Sequence, residues 1–258
     1  MNGMKVVILA GGVGTRLSEE TDVRPKPMVE IGQRPILWHI MQHYAHYGFK
    51  DFVLCLGYRG EYIKRYFTEA LALAPDMVVD FERGVIETHE FKREDWRVSL
   101  VDTGQDAETG GRLLKIRPHV DDNQFMMTYG DGVSNVDLDK LLQFHTAHGQ
   151  AATVTAVHPI ARFGQLQLDG ESVIDFDEKP QMAEGWINGG YFVLEPAIFD
   201  YIPGNVDWAK EPMQSLARSG ELAAYKHEGF WQCMDTLRDK VYLNELWNSD
   251  HAPWKIWA

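Results

Sequence analysis

Residues 5–17 read Lys-Val-Val-Ile-Leu-Ala-Gly-Gly-Val-Gly-Thr-Arg-Leu, and Arg24-Pro25-Lys26-Pro27 follows. The apolar run from Lys5 to Leu9 reads as a buried strand of a parallel sheet. It leads directly into Gly11, Gly12 and Gly14. Glycines at such a turn let backbone N–H groups approach a polyphosphate without interference from Cβ. Arg16 and Lys26 bring positive charge to the same place. A strand, a glycine turn and two cations form an anion cradle at the C-terminal edge of a sheet. The candidate phosphate-binding residues are therefore Leu9, Ala10, Gly11, Gly12, Val13, Gly14, Thr15, Arg16 and Lys26. Two better-known phosphate loops do not fit. A Walker A loop ends in Gly-Lys-Ser/Thr, whereas this one runs Gly14-Thr15-Arg16. A dinucleotide fingerprint counted from Gly12 meets Leu17 where its third glycine belongs.

At 258 residues the chain is long enough to bury a sizeable core, and a single domain over 1–258 is expected. Acidic residues outnumber basic ones 38 to 25, for a formal net charge of −13. That surface repels nucleic acid and anionic membranes, so neither is expected as a partner. A phosphate site in such a protein must be locally basic or assisted by a metal. The two cysteines, Cys55 and Cys233, both sit in apolar runs and read as reduced core residues. The N-terminal residues lack a signal-peptide pattern, and no apolar run approaches the ~20 residues of a membrane span. A cytoplasmic location is the expectation.

Farther along, strand and helix patterns alternate. Pro35 opens a helix to about Tyr47, stopped by Gly48. Phe52–Leu56 is a second buried strand, and Glu61 to about Leu73 a second helix. Two short alternating runs around Arg83-Gly84 predict an antiparallel excursion. Strands are expected over Val98–Val101, Phe125–Tyr129, Ala152–Val157 and Gly190–Leu194, and helices over Thr109–Ile116, Leu138–His148 and Leu237–Trp247. A hairpin is expected around Asp169-Gly170, and Pro196 reads as a helix start. The predicted fold class is α/β: a Rossmann-like, doubly wound, mostly parallel (mixed) sheet with small antiparallel excursions. Ligands on such sheets sit beyond the strand C-termini. Asp131, in Tyr-Gly-Asp-Gly, falls at one of these ends. It can be a turn aspartate, or a carboxylate placed to reach a hydrated Mg²⁺.

The ordered set Gly11-Gly12-x-Gly14-Thr15-Arg16-Leu17 with Pro25-Lys26-Pro27 closely resembles the signature of the sugar-1-phosphate nucleotidyltransferases. Asp102-Thr103-Gly104, Thr109-Gly110-Gly111-Arg112-Leu113, Arg162-Phe163-Gly164 and Met234-Asp235-Thr236 look like the branch that transfers a cytidylyl group to glucose 1-phosphate. That resemblance runs nearly end to end. It implies a nucleotide-diphospho-sugar transferase type of fold, CTP and a sugar 1-phosphate as substrates, and a CDP-sugar product used for bacterial surface polysaccharide. It also implies Mg²⁺ as cofactor on Asp131 and Asp235, although Asp235 can equally cap the helix that starts near Leu237. Arg16 and Lys26 become the catalytic residues. Thr109, Gly111, Arg112, Gly130 and Asp131 join the nucleotide site, with the Arg112 side chain a candidate for reading cytosine. Lys179, in Glu178-Lys179-Pro180, is placed on the sugar phosphate, and the amide of Asn188 near the sugar hydroxyls.

Two other activities compete: the same chemistry with UTP or dTTP and another sugar 1-phosphate, and an NAD(P)-linked Rossmann oxidoreductase, which Leu17 and Lys26 disfavour. His39, His43 and His46 share a helix face but lack a carboxylate or cysteine to complete a zinc site. They read as partly buried or intersubunit residues. Relatives form homo-oligomers, hexamers included. The aromatic C-terminus and the 77–97 excursion are the expected contact surfaces.

Overall fold

The structure, a computed structural model, describes residues 3–12, 14, 17–73, 76–88, 94–120, 122–159, 165–169, 172–177 and 185–257. A seven-stranded sheet is built from β1 (Lys5–Leu9), β2 (Asp51–Leu56), β3 (Arg97–Asp102), β4 (Phe125–Tyr129), β5 (Ala152–Val157), β6 (Ile187–Leu194) and β7 (Leu222–His227). Their order across the sheet is β7-β5-β6-β4-β1-β2-β3. β1 pairs in parallel with both β2 and β4, and β2 with β3. β5 and β7 are also parallel, whereas β6 runs antiparallel to β5 and to β4. The chain turns one way from β1 to reach β2 and the other way to reach β4. The connections leaving the C-terminal ends of β1 and β4 therefore run in opposite directions, which opens a crevice at a topological switch point.

The helices on the faces are α1 (Ile36–His46), α2 (Gly60–Leu73), α3 (Thr109–Ile116), α4 (Leu138–His148), α5 (Glu211–Arg218) and α6 (Leu237–Asn248). Their ends follow local chemistry. Pro35 sits extended just before α1, its fixed φ and missing N–H suited to a helix start. Asp137 caps α4 by accepting from the Lys140 N–H at 2.9 Å, and Gly149 closes it with φ +69. Alternate residues of β1 divide the core into two layers. Val6 and Ile8 face Leu37, Ile40, Met41 and Trp254. Val7 and Leu9 face Leu113, Ile116, Phe192 and Trp208. A strand covered on both faces has no polar side, which is why β1 reads as an unbroken apolar run.

Four two-stranded ladders surround this sheet: Met77–Asp80 with Val85–Thr88, Gln165–Asp169 with Ser172–Asp177, Glu30–Ile31 with Arg34–Pro35, and Gly132–Ser134 with Trp231–Cys233. The first two are the excursion and the hairpin expected from sequence. Strand β7, helix α5 and the last ladder were not. β7 is a sheet-edge strand, Leu-Ala-Ala-Tyr-Lys-His, with no clean alternation and no fully buried residue. Pro196 does start a helix, but it is the six-residue 3-10 segment Pro196–Tyr201. Cys55 is buried and Cys233 half-buried, and both are unpaired.

The aromatic C-terminus packs onto its own chain. Trp247, Trp254 and Trp257 ring His39, and Trp254 is fully buried. His39 Nε2 lies 3.0 Å from the Ile31 carbonyl and His43 Nε2 lies 2.9 Å from the Val136 carbonyl, whereas His46 is exposed. The first two are core residues that join α1 to neighbouring loops. Burial pushes His39 down to about 4 and His43 down to about 3. Both are therefore neutral in the fold and must take up a proton on unfolding in acid. Their contribution is complete above the ordinary value of 6.5 and is lost as pH falls toward the folded values. Thermal melts should show stability falling from pH 6.5 to pH 4. His39→Gln and His43→Gln should each be less stable at pH 7 but lose stability less steeply over that interval.

Candidate active site

The C-terminal ends of β1 and β4 carry the glycine loop and Asp131. Gly130 donates its N–H to the Leu9 carbonyl at 3.1 Å, so the two strand ends exit side by side. A Cβ at Gly130 would meet Pro27 at 3.0 Å and the Leu9 carbonyl at 3.1 Å. Glycine thus eases the close approach of β4 to the Lys26 turn, where any larger residue would push Pro27 or the Leu9 carbonyl aside. Lys26 begins a short 3-10 turn, Lys26–Met28, in which all three residues are buried. Gly14 adopts φ +69 and packs against Thr21 and Lys26.

Asp235 comes from the far end of the chain. The ladder between Gly132–Ser134 and Trp231–Cys233 brings it in, with Cys233 opposite Gly132. The Met234 N–H donates to the Asp131 carbonyl at 2.8 Å and continues that pairing. Thr236, not Asp235, caps α6. Its side chain accepts from the Asp239 N–H, and the Asp239 carboxylate accepts from the Thr236 N–H at 2.8 Å, completing a capping box. The Asp235 carboxylate is released from capping and faces Lys26.

Lys26 Nζ donates to Asp131 Oδ2 at 2.6 Å and also to Asp235 Oδ1. Burial opposes the lysine charge, but the Asp131 and Asp235 carboxylates outweigh it and hold Lys26 above its ordinary value. Two carboxylates thus converge on one cationic group. Mg²⁺ that shares its coordination with substrate phosphates needs one or two protein carboxylates, and this donor set fits. Among the described residues no cluster of three or more His, Cys, Asp or Glu side chains forms a metal cage.

Two clefts meet here. The first, about 310 Å³, is lined by Leu9, Gly11, Gly12, Gly14, Lys26, Pro27, Ala107, Glu108, Thr109, Arg112, Tyr129, Gly130 and Asp131. The second, about 340 Å³, includes Asn188, Gly189, Trp231, Cys233 and Asp235, and shares Tyr129 and Asp131 with the first. Both volumes suit small-molecule sites. Of the residues expected from sequence, Leu9, Gly11, Gly12, Gly14, Lys26, Thr109, Arg112, Gly130 and Asp131 line the first cleft; Asn188, Asp131 and Asp235 line the second. Val13, Thr15, Arg16 and Lys179 lie outside the described residues. Ala10 is buried behind the loop, and its N–H donates to the Cys55 carbonyl at 3.0 Å.

Two expectations shift. Gly111 does not line the cleft; it packs on Asn205, where a Cβ would meet the Asn205 Cα at 3.2 Å. The Arg112 guanidinium, 4% exposed, is held by its own chain. Nη1 donates to the Leu56 carbonyl at 3.0 Å, Thr103 Oγ1 at 2.8 Å and the Gly104 carbonyl at 2.9 Å. Nη2 donates to the Gly11 carbonyl at 2.9 Å and the Gln105 carbonyl at 3.4 Å. Arg112 therefore ties the loops after β1, β2 and β3 together while it also lines the first cleft. Asn188 is similarly engaged, its Oδ1 accepting from the Gly190 N–H at 2.8 Å.

Sequence reasoning missed Tyr129, Glu108, Trp231 and Cys233 as lining residues. Each lies within four positions of a residue it did select. Trp231 Nε1 donates to the Gly189 carbonyl at 2.7 Å, which fixes the indole as a wall of the second cleft. Burial and the Asp235 and Asp131 charges push the Cys233 thiol up to about 12, so it stays protonated beside them.

The family model for nucleotidyl transferases matches residues 5–238. The chain belongs to the nucleotidyl transferase family. It is 52% identical over 256 residues to the glucose-1-phosphate cytidylyltransferase of Salmonella typhi, covering 98% of this chain and 100% of the relative. It is 43% identical to a probable glucose-1-phosphate cytidylyltransferase of Bacillus subtilis, with the same coverage of each chain. The crystal structure of HddC from Yersinia pseudotuberculosis superimposes with a TM-score of 0.67 at 22% identity, over 95% of this chain and 99% of that one. A UDP-glucose pyrophosphorylase crystallised with UDP-glucose gives 0.68 at 17%, over 96% and 99%. These structures share the nucleotide-diphospho-sugar transferase fold.

Removing the Arg112 side chain deletes five hydrogen bonds that join three loops, although the Leu56 and Gly11 carbonyls keep the Thr103 and Tyr58 N–H donors. Arg112→Ala should lower stability by about 3 kcal/mol or more in urea denaturation. A loss confined to nucleotide selectivity, with unchanged stability, would contradict the clamp.

Proposed function

We propose that this protein transfers a cytidylyl group from CTP to α-D-glucose 1-phosphate, giving CDP-glucose and pyrophosphate. The observation that carries this reading is the junction of two clefts at Asp131, beside Lys26, in a chain 52% identical over nearly its whole length to a glucose-1-phosphate cytidylyltransferase. The glycine-loop cleft suits the triphosphate, and the Asn188–Trp231 cleft suits the sugar phosphate. A phosphate oxygen of the sugar then approaches the α-phosphorus at the shared wall, and pyrophosphate departs along the glycine loop. The second pKa of a phosphate monoester is about 6, so the attacking oxygen is already ionised at pH 7 and needs no general base.

The obstacle is electrostatic, an anion approaching a polyanion. Positioning and charge neutralisation must therefore do the catalysis. Backbone N–H groups of the loop from Gly11 onward cradle the phosphates. Lys26, held charged at the junction, sits where charge on the reacting phosphate builds up. Asp131 and Asp235 would hold Mg²⁺, which supplies charge neutralisation for the phosphate oxygens when bound. Thr15 and Arg16 on the triphosphate and Lys179 on the sugar phosphate belong to the same proposal on their sequence context. Homo-oligomeric assembly belongs to it as well. The hairpin Met77–Thr88 supports that reading, because Phe81 is 92% exposed and Ile86 66% exposed at its surface. The aromatic C-terminus stays in that reading as a second contact surface, with Trp247 and Trp257 half-buried against their own chain.

Pyrophosphate release from four nucleoside triphosphates against several sugar 1-phosphates tests the reaction. CTP with glucose 1-phosphate should exceed dTTP and ATP by at least ~10²-fold in kcat/KM. Faster release with UTP or dTTP would overturn the nucleotide assignment. Lys26→Ala should lower kcat/KM by at least ~10²-fold, about 2.7 kcal/mol of transition-state stabilisation. In Mg²⁺ titrations, Asp131→Asn should remove metal-dependent turnover while the fold is retained. An unchanged metal dependence in both Asp131→Asn and Asp235→Asn would exclude these ligands.

A further inference from the structure

The glycine loop leaves β1 at Gly11 and is followed by the short helical turn Ser18–Thr21. Both ends of this stretch are fastened to one neighbour, the turn at Tyr58 and Arg59 between β2 and α2. At the entry, the Tyr58 N–H donates to the Gly11 carbonyl at 3.1 Å. At the exit, the Tyr58 hydroxyl donates to the Thr21 carbonyl at 3.2 Å. Thr21, only 3% exposed, passes that hold back into the loop. Its own hydroxyl lies 3.1 Å from the Gly14 carbonyl and 3.0 Å from the Leu17 carbonyl and shares one proton between them. A Cβ at Gly14 would lie 3.0 Å from Thr21 Cγ2, so the threonine methyl packs on the left-handed turn. Arg59 holds the Tyr58 hydroxyl from the other side. Its Nε donates to that hydroxyl at 2.9 Å, and its Nη2 donates to the Asp22 carbonyl at 2.6 Å. Arg59 does so at φ +51, a conformation unfavourable for a residue with a Cβ and kept only where its contacts over-determine it.

Neither Tyr58 nor Thr21 lines either cleft, whereas Gly11, Gly12 and Gly14 line the first. We infer that Tyr58 is a positioning residue: by its backbone N–H and, through Thr21, by its hydroxyl, it braces the glycine loop in the shape that receives a polyphosphate. A planar trans peptide points its N–H opposite to its C=O, so holding the Gly11 carbonyl also sets the direction of the Gly12 N–H. Backbone donors aimed before the anion arrives bind it without the entropy cost of ordering the loop. The bonds from Tyr58 to Thr21 and from Thr21 to Gly14 lie in series, so loss of either hydroxyl loosens the same end. This inference rests on the part of the proposed reaction that puts the triphosphate on the glycine loop.

Tyr58→Phe and Thr21→Val each remove one hydroxyl and conserve shape. In calorimetric titrations with inorganic pyrophosphate and Mg²⁺, each should bind about 5-fold more weakly than the wild type, the net share of one hydrogen bond. The KM for CTP should rise by a similar factor, while the KM for glucose 1-phosphate stays unchanged. Thr21→Ser keeps the hydroxyl and should bind close to wild type. Because the two hydroxyls act in series, the double variant should bind little worse than either single one, well short of the ~25-fold loss expected of independent sites. Unchanged pyrophosphate affinity in both Tyr58→Phe and Thr21→Val overturns the brace and leaves the proposed reaction intact. An equal rise in both KM values overturns it as well, since a general loosening of the fold is not selective for the phosphate end. A wild-type protein that does not bind pyrophosphate overturns the assignment of the triphosphate to the loop first, and the brace with it.

Discussion

Asp131 and Asp235 are like charges held at one point, an arrangement that is unfavourable unless a cation lies between them. Lys26 Nζ is that cation, in contact with both. The lysine side chain is only 11% exposed, so it needs the carboxylates as much as they need it. Removing one member of such a partly buried set leaves an uncompensated charge. The three residues lie in the first, middle and last parts of the chain, so this one electrostatic junction joins the glycine loop, the central strand and the C-terminal helix. It is also where the two clefts meet.

Backbone pairing makes that junction possible. Gly132–Ser134 and Trp231–Cys233 form a ladder of three residues each, and its register puts Asp131 next to Met234. A one-residue slip would turn the side chains to the other face and separate the carboxylates. The capping box of Thr236 and Asp239 fixes where α6 starts, and so which residue remains to face Lys26. The ion pair of Lys240 with Glu20 ties the same helix to the segment behind the glycine loop. Arg112 does the corresponding work on the other side, holding three strand-end loops through carbonyl oxygens. The start of α3, Glu108 to Gly110, is held in turn by Asn205, Val206 and Asp207. The rim of the cleft is thus assembled from loops that are far apart in sequence and fastened by a few charged or amide side chains.

The central strands and most helices were legible in the sequence because their signals are local. β1, β4 and β5 are apolar runs, and α1 and α4 carry their proline, aspartate and glycine punctuation. β7 was not legible, since an edge strand without alternation has no signature of its own. The Trp231–Cys233 ladder was missed because three residues are too few to show a period. The capping box at Thr236-x-x-Asp239 could have been read, and it would have relieved Asp235 of the capping role in advance. The sequence singled out Arg112, but a guanidinium in a loop motif has the same letters whether or not five acceptors of its own chain hold it.

By itself the sequence determined the α/β class and the glycine turn that follows the first strand. These follow from steric and periodic rules acting over a few residues. Only the tertiary structure decided that Asp131 and Asp235 share Lys26, that the Thr109 hydroxyl bonds Asp207 and Trp208, and that Arg112 ties three loops together. Those outcomes depend on which hydrogen-bonding groups find partners once distant segments pack. No local pattern records that, because a side chain's commitment is set by its neighbours in space.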